Sequence, residues 1–267
     1  MHPPPVVILA RGLGTRLRAA GATIDAAAAA VADAGIKALM PVADGRPFLD
    51  HVLTDCADAG IEEAILVVGP EQAALRAWYA AHPPRRLALR WAEQEHPRGT
   101  ADALVAAGIA LAGRPHLLLN SDNRYPVAAL TALVGLSAPA LVGFRRSGLL
   151  RGNLTAERLA GFAVIAAAAG GLRRIVEKPD AATLAAFGAD PLLSMNCWRL
   201  DARVLAACRR VLPSPRGELE LTSGIALALS DGVQFSVLES GEPVLDLSRR
   251  DDLAGVRAAL AGHRVDL

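Results

Sequence analysis

The sequence predicts an α/β chain, and three observations carry that expectation. Short apolar runs of strand length recur along it, segments between them carry apolar residues at helical spacing, and glycine or proline marks most of the junctions. The strand–helix–strand rhythm this produces is that of an open sheet covered by helices.

The first run, Val6-Val7-Ile8-Leu9, is short and β-branched, as a buried strand requires, and it leads into Ala10-Arg11-Gly12-Leu13-Gly14-Thr15-Arg16-Leu17. Glycines at this point permit a tight turn with exposed backbone N–H groups, and Arg16 can fork two phosphate oxygens at once. Taken alone the stretch fits a simple turn as well as a phosphate cradle. An alanine-rich run to Ala34 follows, with high helix propensity and little to bury, and so reads as a small helix or a flap over the loop. Lys37 stands beside Ala38-Leu39-Met40-Pro41-Val42, expected as a short strand, and reaches the glycine loop only if the alanine segment folds back.

Residues 48–57 read as a helix ended by Gly60, 61–68 as a buried strand, 71–80 as a helix, and 87–91 as a short alternating strand. The polar turn from Glu93 to Gly99 then opens onto an alanine-rich helix with Thr100 as its expected N-cap, a place that suits an anion or a base edge. Residues 115–120 form the next buried strand. It runs into Ser121-Asp122-Asn123, which puts Asp122 at the carboxyl end of a strand, where open α/β sheets bind ligands; an ordinary Asp/Asn turn is the plainer reading.

Residues 127–136 read as a helix and 140–144 as a strand, after which the polar stretch 145–158 leaves the sheet. A hairpin through Gly170-Gly171 joins 162–165 to 172–176 and ends in Glu177-Lys178-Pro179. The strand 193–200 carries Asn196 at a place where an apolar core would want a partner for it. Helices over 204–211 and from Glu218-Leu219-Glu220-Leu221-Thr222 to Ser230, strands over 233–238 and 244–246, and a closing helix over 251–261 complete the chain. Residues 1–267 are expected to form a single domain in which 145–200 is a subregion.

Composition narrows the function classes. At 267 residues, 52% hydrophobic and 21% charged, the chain can bury one substantial core. A net charge of +1 with no basic block interleaved with aromatics gives no footprint for nucleic acid, so a small anionic ligand is the better expectation. No apolar run reaches the roughly 20 residues of a membrane span, and the first residues lack a secretion signal, which points away from membranes and towards the cytoplasm. Cys56, Cys197 and Cys208 have no metal-binding or disulfide spacing.

The combination is more specific than its pieces. The stretch Leu9 to Leu17 resembles the signature of the sugar-1-phosphate nucleotidyltransferases, the nucleotide-diphosphosugar pyrophosphorylases related to glucose-1-phosphate thymidylyl- and uridylyltransferases. Further segments resemble that family's motifs in the right order: Lys37 to Val42, Gln94 to Ala103, Asn120 to Asn123, Glu177-Lys178-Pro179, Glu218 to Thr222, and Asp246. The resemblance implies a Rossmann-like three-layer α/β/α fold with a mixed, mostly parallel central sheet, the nucleotide-diphosphosugar transferase fold. It also implies a Mg²⁺-dependent reaction of a nucleoside triphosphate with a sugar-1-phosphate, a hexose or related cyclitol phosphate, releasing pyrophosphate.

By the same resemblance Arg16, Lys37 and Asp122 would be catalytic, and Asp122 with Asp246 would hold Mg²⁺. Ala10, Arg11, Gly12, Gly14, Thr15, Gln94, Gly99 and Thr100 would bind the nucleotide, and Gly143, Glu177, Lys178 and Asn196 the sugar phosphate. Members of the family are often dimers or tetramers, so a homo-oligomer is an expectation. Four departures bear on substrate identity. Arg11 stands where glycine is usual, Ser121 replaces a glycine, Val244-Leu245 precede Asp246 where an aromatic is frequent, and Lys37 follows Arg16 by 37 − 16 = 21 positions, as if the alanine segment were inserted. A dinucleotide-dependent oxidoreductase is disfavoured by Leu17 in place of a third glycine, and a P-loop NTPase by the missing GK[ST] ending. A non-catalytic regulatory homologue that binds a sugar nucleotide is the remaining alternative.

Overall fold

A computed structural model describes residues 2–12, 14–19 and 21–267. Its main sheet contains β1 (Val6–Leu9), β2 (Glu63–Val68), β3 (Ala88–Glu93), β4 (His116–Asn120), β6 (Ala140–Arg145), β7 (Val164–Ala168), β8 (Gly171–Val176), β9 (Leu192–Leu200) and β10 (Ser236–Ser240). The short β5 (Asn123–Arg124) pairs separately with β11 (Leu245–Asp246). Across the main sheet the order is β3-β2-β1-β4-β9-β6-β10-β8-β7, and β7 also pairs back to β9.

The sheet is mixed, but parallel pairing does not dominate it as expected. The four N-terminal strands are all parallel to one another, whereas β9 runs antiparallel to both β4 and β6, and β7 and β8 form an antiparallel hairpin. Tight turns such as Ala169-Gly170, one residue earlier than the glycine pair suggests, permit this reversal, while the parallel half needs a helical crossover after each strand. A parallel strand is buried on both sides. Val6, Ile8, Leu66 and Leu119 accordingly enter one apolar cluster, and Val7, Ile65, Val67 and Leu118 enter another on the opposite face. Fully burying each such side chain contributes roughly 1.5–3 kcal/mol.

The alanine segment is a helix, Ala26–Ala34, rather than a mobile flap. Asp25 caps it by accepting from the Ala28 amide at 3.0 Å, and Gly35 ends it in the left-handed region. Ion pairs from Arg257 to Asp25 (2.7 Å) and from Arg250 to Asp33 pin it to the closing helix Asp252–Ala259 and to the turn just before that helix. Because it folds back, Gly14 lies against Gly35: a Cβ on Gly14 would stand 2.5 Å from the Gly35 carbonyl oxygen.

Three local expectations are corrected. Residues 37–42 form no strand; Lys37–Leu39 is a 3₁₀ turn, and only an isolated bridge links Pro41 to Pro47, since prolines cannot donate to a ladder. Thr100 does not cap its helix. Gly99 holds the N-cap position, and the Thr100 hydroxyl instead accepts from the Leu221 amide at 2.8 Å. The strand expected from residue 233 begins at Ser236, between β6 and β8, after Val233 and Phe235 have buried into the core.

Candidate active site

Three cavities meet at the carboxyl ends of β1 and β4. The first, about 510 Å³, is lined by the glycine loop, Gln94, Gly99 and Thr100. The second, about 590 Å³, is lined by Asp122, Asp246, Glu177, Lys178 and Asn196 among others. Arg16 borders both. Between them lies a smaller cavity of about 220 Å³, bordered by Lys37, Asp122 and Asn196.

On the loop side, the buried Gln72 fixes the end of β1. It accepts from the Gly69 amide at 2.8 Å and donates to the Ala10 carbonyl at 2.7 Å. Arg11 is not the free cation that its place in the sequence suggests. Its guanidinium is turned onto Glu71, with Nε–Oε1 and Nη2–Oε2 distances of 3.2 and 3.1 Å, and is largely buried. Gln94 donates from Nε2 to both the Gly99 carbonyl (3.1 Å) and Asp102 (2.8 Å). Both partners are acceptors, so both amide protons are committed and Oε1 is left to accept. Gly99 has φ +123° and sits so close to Leu219 that a Cβ would fall 2.4 Å from its carbonyl oxygen.

Lys37 Nζ lies 2.8 Å from Asp122 Oδ2. Asp246 comes to the same place through the β5–β11 pairing, which sets it opposite Asn123, and through the Leu247 amide, which donates to the Asp122 carbonyl at 2.9 Å. Asn153 grips the Asp246 backbone at both its N–H and its C=O, at 3.0 and 2.7 Å. Arg158 bridges the Asp246 and Asp252 carboxylates with its two Nη atoms, and Asn123 Nδ2 donates to Asp246 Oδ2 at 3.0 Å. Burial first, and then the Asp122 charge, push the Asp246 carboxyl above its usual range, with Arg158 acting against them.

Among the described residues no group of three or more His, Cys, Asp or Glu side chains is set to hold a metal ion. Two carboxylates facing a polar cavity nevertheless suit Mg²⁺, which completes its shell with water and phosphate oxygens. On the far side, burial and the neighbouring Glu220 raise the Glu177 carboxyl, while Thr222 hydrogen-bonds to it. Lys178 (φ +44°) and Asn196 (φ +56°) both occupy the left-handed region, a conformation held only where surrounding structure dictates it and often found at ligand sites.

The structure therefore gathers Arg16, Lys37, Asp122, Asp246, Glu177, Lys178 and Asn196 around adjoining cavities. Gly143 stands apart from those linings: a Cβ there would meet Leu192 and Val237 at 3.3 Å, inside the sheet packing. Sequence reasoning missed Gln72, Asn120, Asn153 and Arg158. Their partners lie 62 to 93 positions away, and nothing local to them signals it.

Residues 5–254 match the nucleotidyl transferase family. A bifunctional GlmU protein of Maricaulis maris is 29% identical over 95% of this chain and 51% of its own length. A glucose-1-phosphate thymidylyltransferase of an Actinoplanes species is 30% identical over 81% of this chain and 64% of its own. A mannose-1-phosphate guanylyltransferase of Mycobacterium tuberculosis is 30% identical over 55% of this chain and 35% of its own. The chain thus spans about half the length of the GlmU relatives of Maricaulis maris and Anaeromyxobacter dehalogenans. A solved UDP-glucose pyrophosphorylase in complex with UDP-glucose shares the fold, with a TM-score of 0.75 at 13% identity, covering 98% of this chain and 100% of that one.

Proposed function

The chain belongs to the nucleotidyl transferase family, and from that premise we propose that it joins a nucleoside triphosphate to a sugar-1-phosphate, a hexose or cyclitol phosphate, with release of pyrophosphate. The observation that carries the reading is the Lys37–Asp122 pair, which borders the small cavity between two larger ones. The 510 Å³ chamber beside the glycine loop takes the nucleotide, and the 590 Å³ chamber takes the sugar phosphate. Reaction then occurs where they meet, in a single catalytic unit with a Rossmann-like layered α/β/α arrangement.

The sugar phosphate attacks with one of its own oxygens. Its second pKa is about 6, so it is already ionised near neutral pH and no general base is needed. A bond forms from that oxygen to the α-phosphorus, the bond from the α-phosphorus to the bridging oxygen breaks, and pyrophosphate leaves with the electron pair. The difficulty is bringing two polyanions together, so catalysis rests on alignment and charge neutralisation. Lys37 offsets charge at the attacked phosphorus, and Arg16, bordering both chambers, stabilises the leaving pyrophosphate. Asp122 and Asp246 would hold Mg²⁺, which when bound supplies a divalent charge to the triphosphate. Lys178 holds the sugar's phosphate, while Glu177 and Asn196 take its hydroxyls. Gln94 offers Oε1 to a base N–H, and the backbone around Gly12 and Gly14 cradles the phosphates.

A screen of the purified protein against the common nucleoside triphosphates, each paired with a panel of sugar-1-phosphates, tests this reading through pyrophosphate release. A metal-dependent signal with at least one pair is expected. Sugar-nucleotide binding with no release for any pair would replace the reading by that of a regulatory homologue.

A further inference from the structure

A line of side-chain amides crosses the floor of the 590 Å³ cavity. Trp198 Nε1 donates to Asn196 Oδ1 at 3.3 Å, and Asn196 Nδ2 lies 3.5 Å from Asn120 Oδ1. Asn120 Nδ2 donates to Asn123 Oδ1 at 3.0 Å, and Asn123 Nδ2 donates to Asp246 Oδ2 at 3.0 Å. The two ends remove any choice of orientation. An indole nitrogen can only donate, so Asn196 must turn its oxygen towards Trp198. A carboxylate can only accept, so Asn123 must turn its nitrogen towards Asp246 and its oxygen back towards Asn120. Asn120, caught between, has one orientation that satisfies both neighbours.

We propose that Asn120 is a positioning residue that ties the sugar-binding amide of Asn196 to the carboxylate of Asp246. Resting on the nucleotidyl-transfer reading, this adds a residue that touches neither reacting phosphate. Trp198 and Asn123 are buried and Tyr125 closes the line from beneath, its hydroxyl donating to the Met195 carbonyl at 2.6 Å and accepting from the Asn120 backbone N–H at 3.2 Å. Asn120 and Asn196 are half-buried at the cavity wall, and reversing one amide breaks its bond to the next, so the ends at Trp198 and Asp246 fix the orientation of the whole line. With the line intact, Asn196 keeps an N–H directed to the sugar side and Asp246 keeps its Oδ2 in one place.

The test uses Asn120→Leu, which removes both bonds at similar volume, and Asn120→Asp, which sets a carboxylate oxygen against Asn123 Oδ1 and turns that amide over. Two readouts are independent of turnover: Mn²⁺ affinity by electron paramagnetic resonance, and triphosphate binding without metal by calorimetry. We expect Asn120→Leu to raise the KM for sugar phosphate and to weaken Mn²⁺ binding, each by roughly five- to tenfold, with metal-free triphosphate binding and the melting temperature unchanged. Asn120→Asp is expected to weaken Mn²⁺ further than Asn120→Leu. If Asn120→Leu shifts only the sugar-phosphate KM, or only Mn²⁺ binding, Asn120 serves one end and the proposed tie is overturned. A uniform loss that includes triphosphate binding and thermal stability overturns it as well, by making the role merely structural. Absence of turnover in the unsubstituted protein would fail the nucleotidyl-transfer reading alone, since sugar-phosphate binding by calorimetry then replaces the KM and, beside the Mn²⁺ comparison, reads both ends of the tie without turnover.

Discussion

Lys37 Nζ and Asp122 Oδ2 stand 2.8 Å apart, although 85 positions separate them, and both side chains are more than three-quarters buried. The Ala26–Ala34 helix and the 3₁₀ turn after it are what deliver the lysine to the end of β4. Across that contact the two charges neutralise each other.

Removing either member leaves a buried charge and takes a charge from the reaction centre. Asp122→Ala and Lys37→Ala should each lower pyrophosphate release by at least about 10²-fold, while far-ultraviolet circular dichroism and the melting temperature show the fold retained. Activity within a few-fold of the parent protein in Asp122→Ala would remove that residue from the proposed metal site.

Gly99→Ala should weaken the nucleotide side. The new Cβ would meet the Leu219 carbonyl oxygen at 2.4 Å on a backbone with φ +123°, so the 98–100 and 218–221 loops must part. A rise of about tenfold in the KM for triphosphate is expected, with stability lowered by about 1–3 kcal/mol in urea denaturation. The KM for sugar phosphate should move less.

The Arg11–Glu71 pair admits a double-mutant comparison. Glu71→Ala strands a guanidinium that is mostly buried and whose Nη1 already has no hydrogen-bond partner among the described residues, and should cost about 1–2 kcal/mol, given that half of the Glu71 side chain is open to solvent. Arg11→Ala combined with Glu71→Ala should cost less than Glu71→Ala alone, because no unpaired charge remains. Chemical denaturation of the three variants measures the difference.

Two buried histidines give the chain an acid limit. Burial, then the neighbouring His263, push His51 down to about 4, and burial does the same to His116. Both are thus neutral when folded but would take up protons when unfolded from about pH 6.5 downward. Their contribution is complete above pH 6.5 and lost as pH falls towards 4, on the order of 3 kcal/mol each at most. Burial raises Asp50 and Asp55, whose effect runs in the opposite direction with its window extending upward from 3.8. The melting temperature should fall between pH 6.5 and 4, and His51→Asn should reduce that slope.

Most of the strands and helices were legible because their signals are local. Val6 to Leu9, the 48–58 helix and the Gly170-Gly171 hairpin each declare themselves within a dozen residues. The relation between distant parts was not. Nothing near Arg11 marks Glu71 as its partner, and nothing near Lys37 shows that Pro41 and Pro47 replace a strand by a turn. In the site, the charged residues could be named from motifs. Arg158 could not, and Asn120, although it opens the Asn120 to Asn123 motif, had no role of its own, since an arginine in a polar excursion or an asparagine before a turn has an ordinary surface reading until the fold supplies Asp246 or Asn196.

Gly14 and Gly35 meet backbone to backbone, and the Arg18 guanidinium lies over Gly35 and donates to the Ala34 carbonyl at 3.1 Å. The glycine loop and the Ala26–Ala34 helix are therefore shaped against each other. Any chimaera that exchanges the loop with that of a relative must move residues 12 to 37 as one cassette, because a donor loop with a side chain at position 14 would push the helix away and carry Lys37 with it.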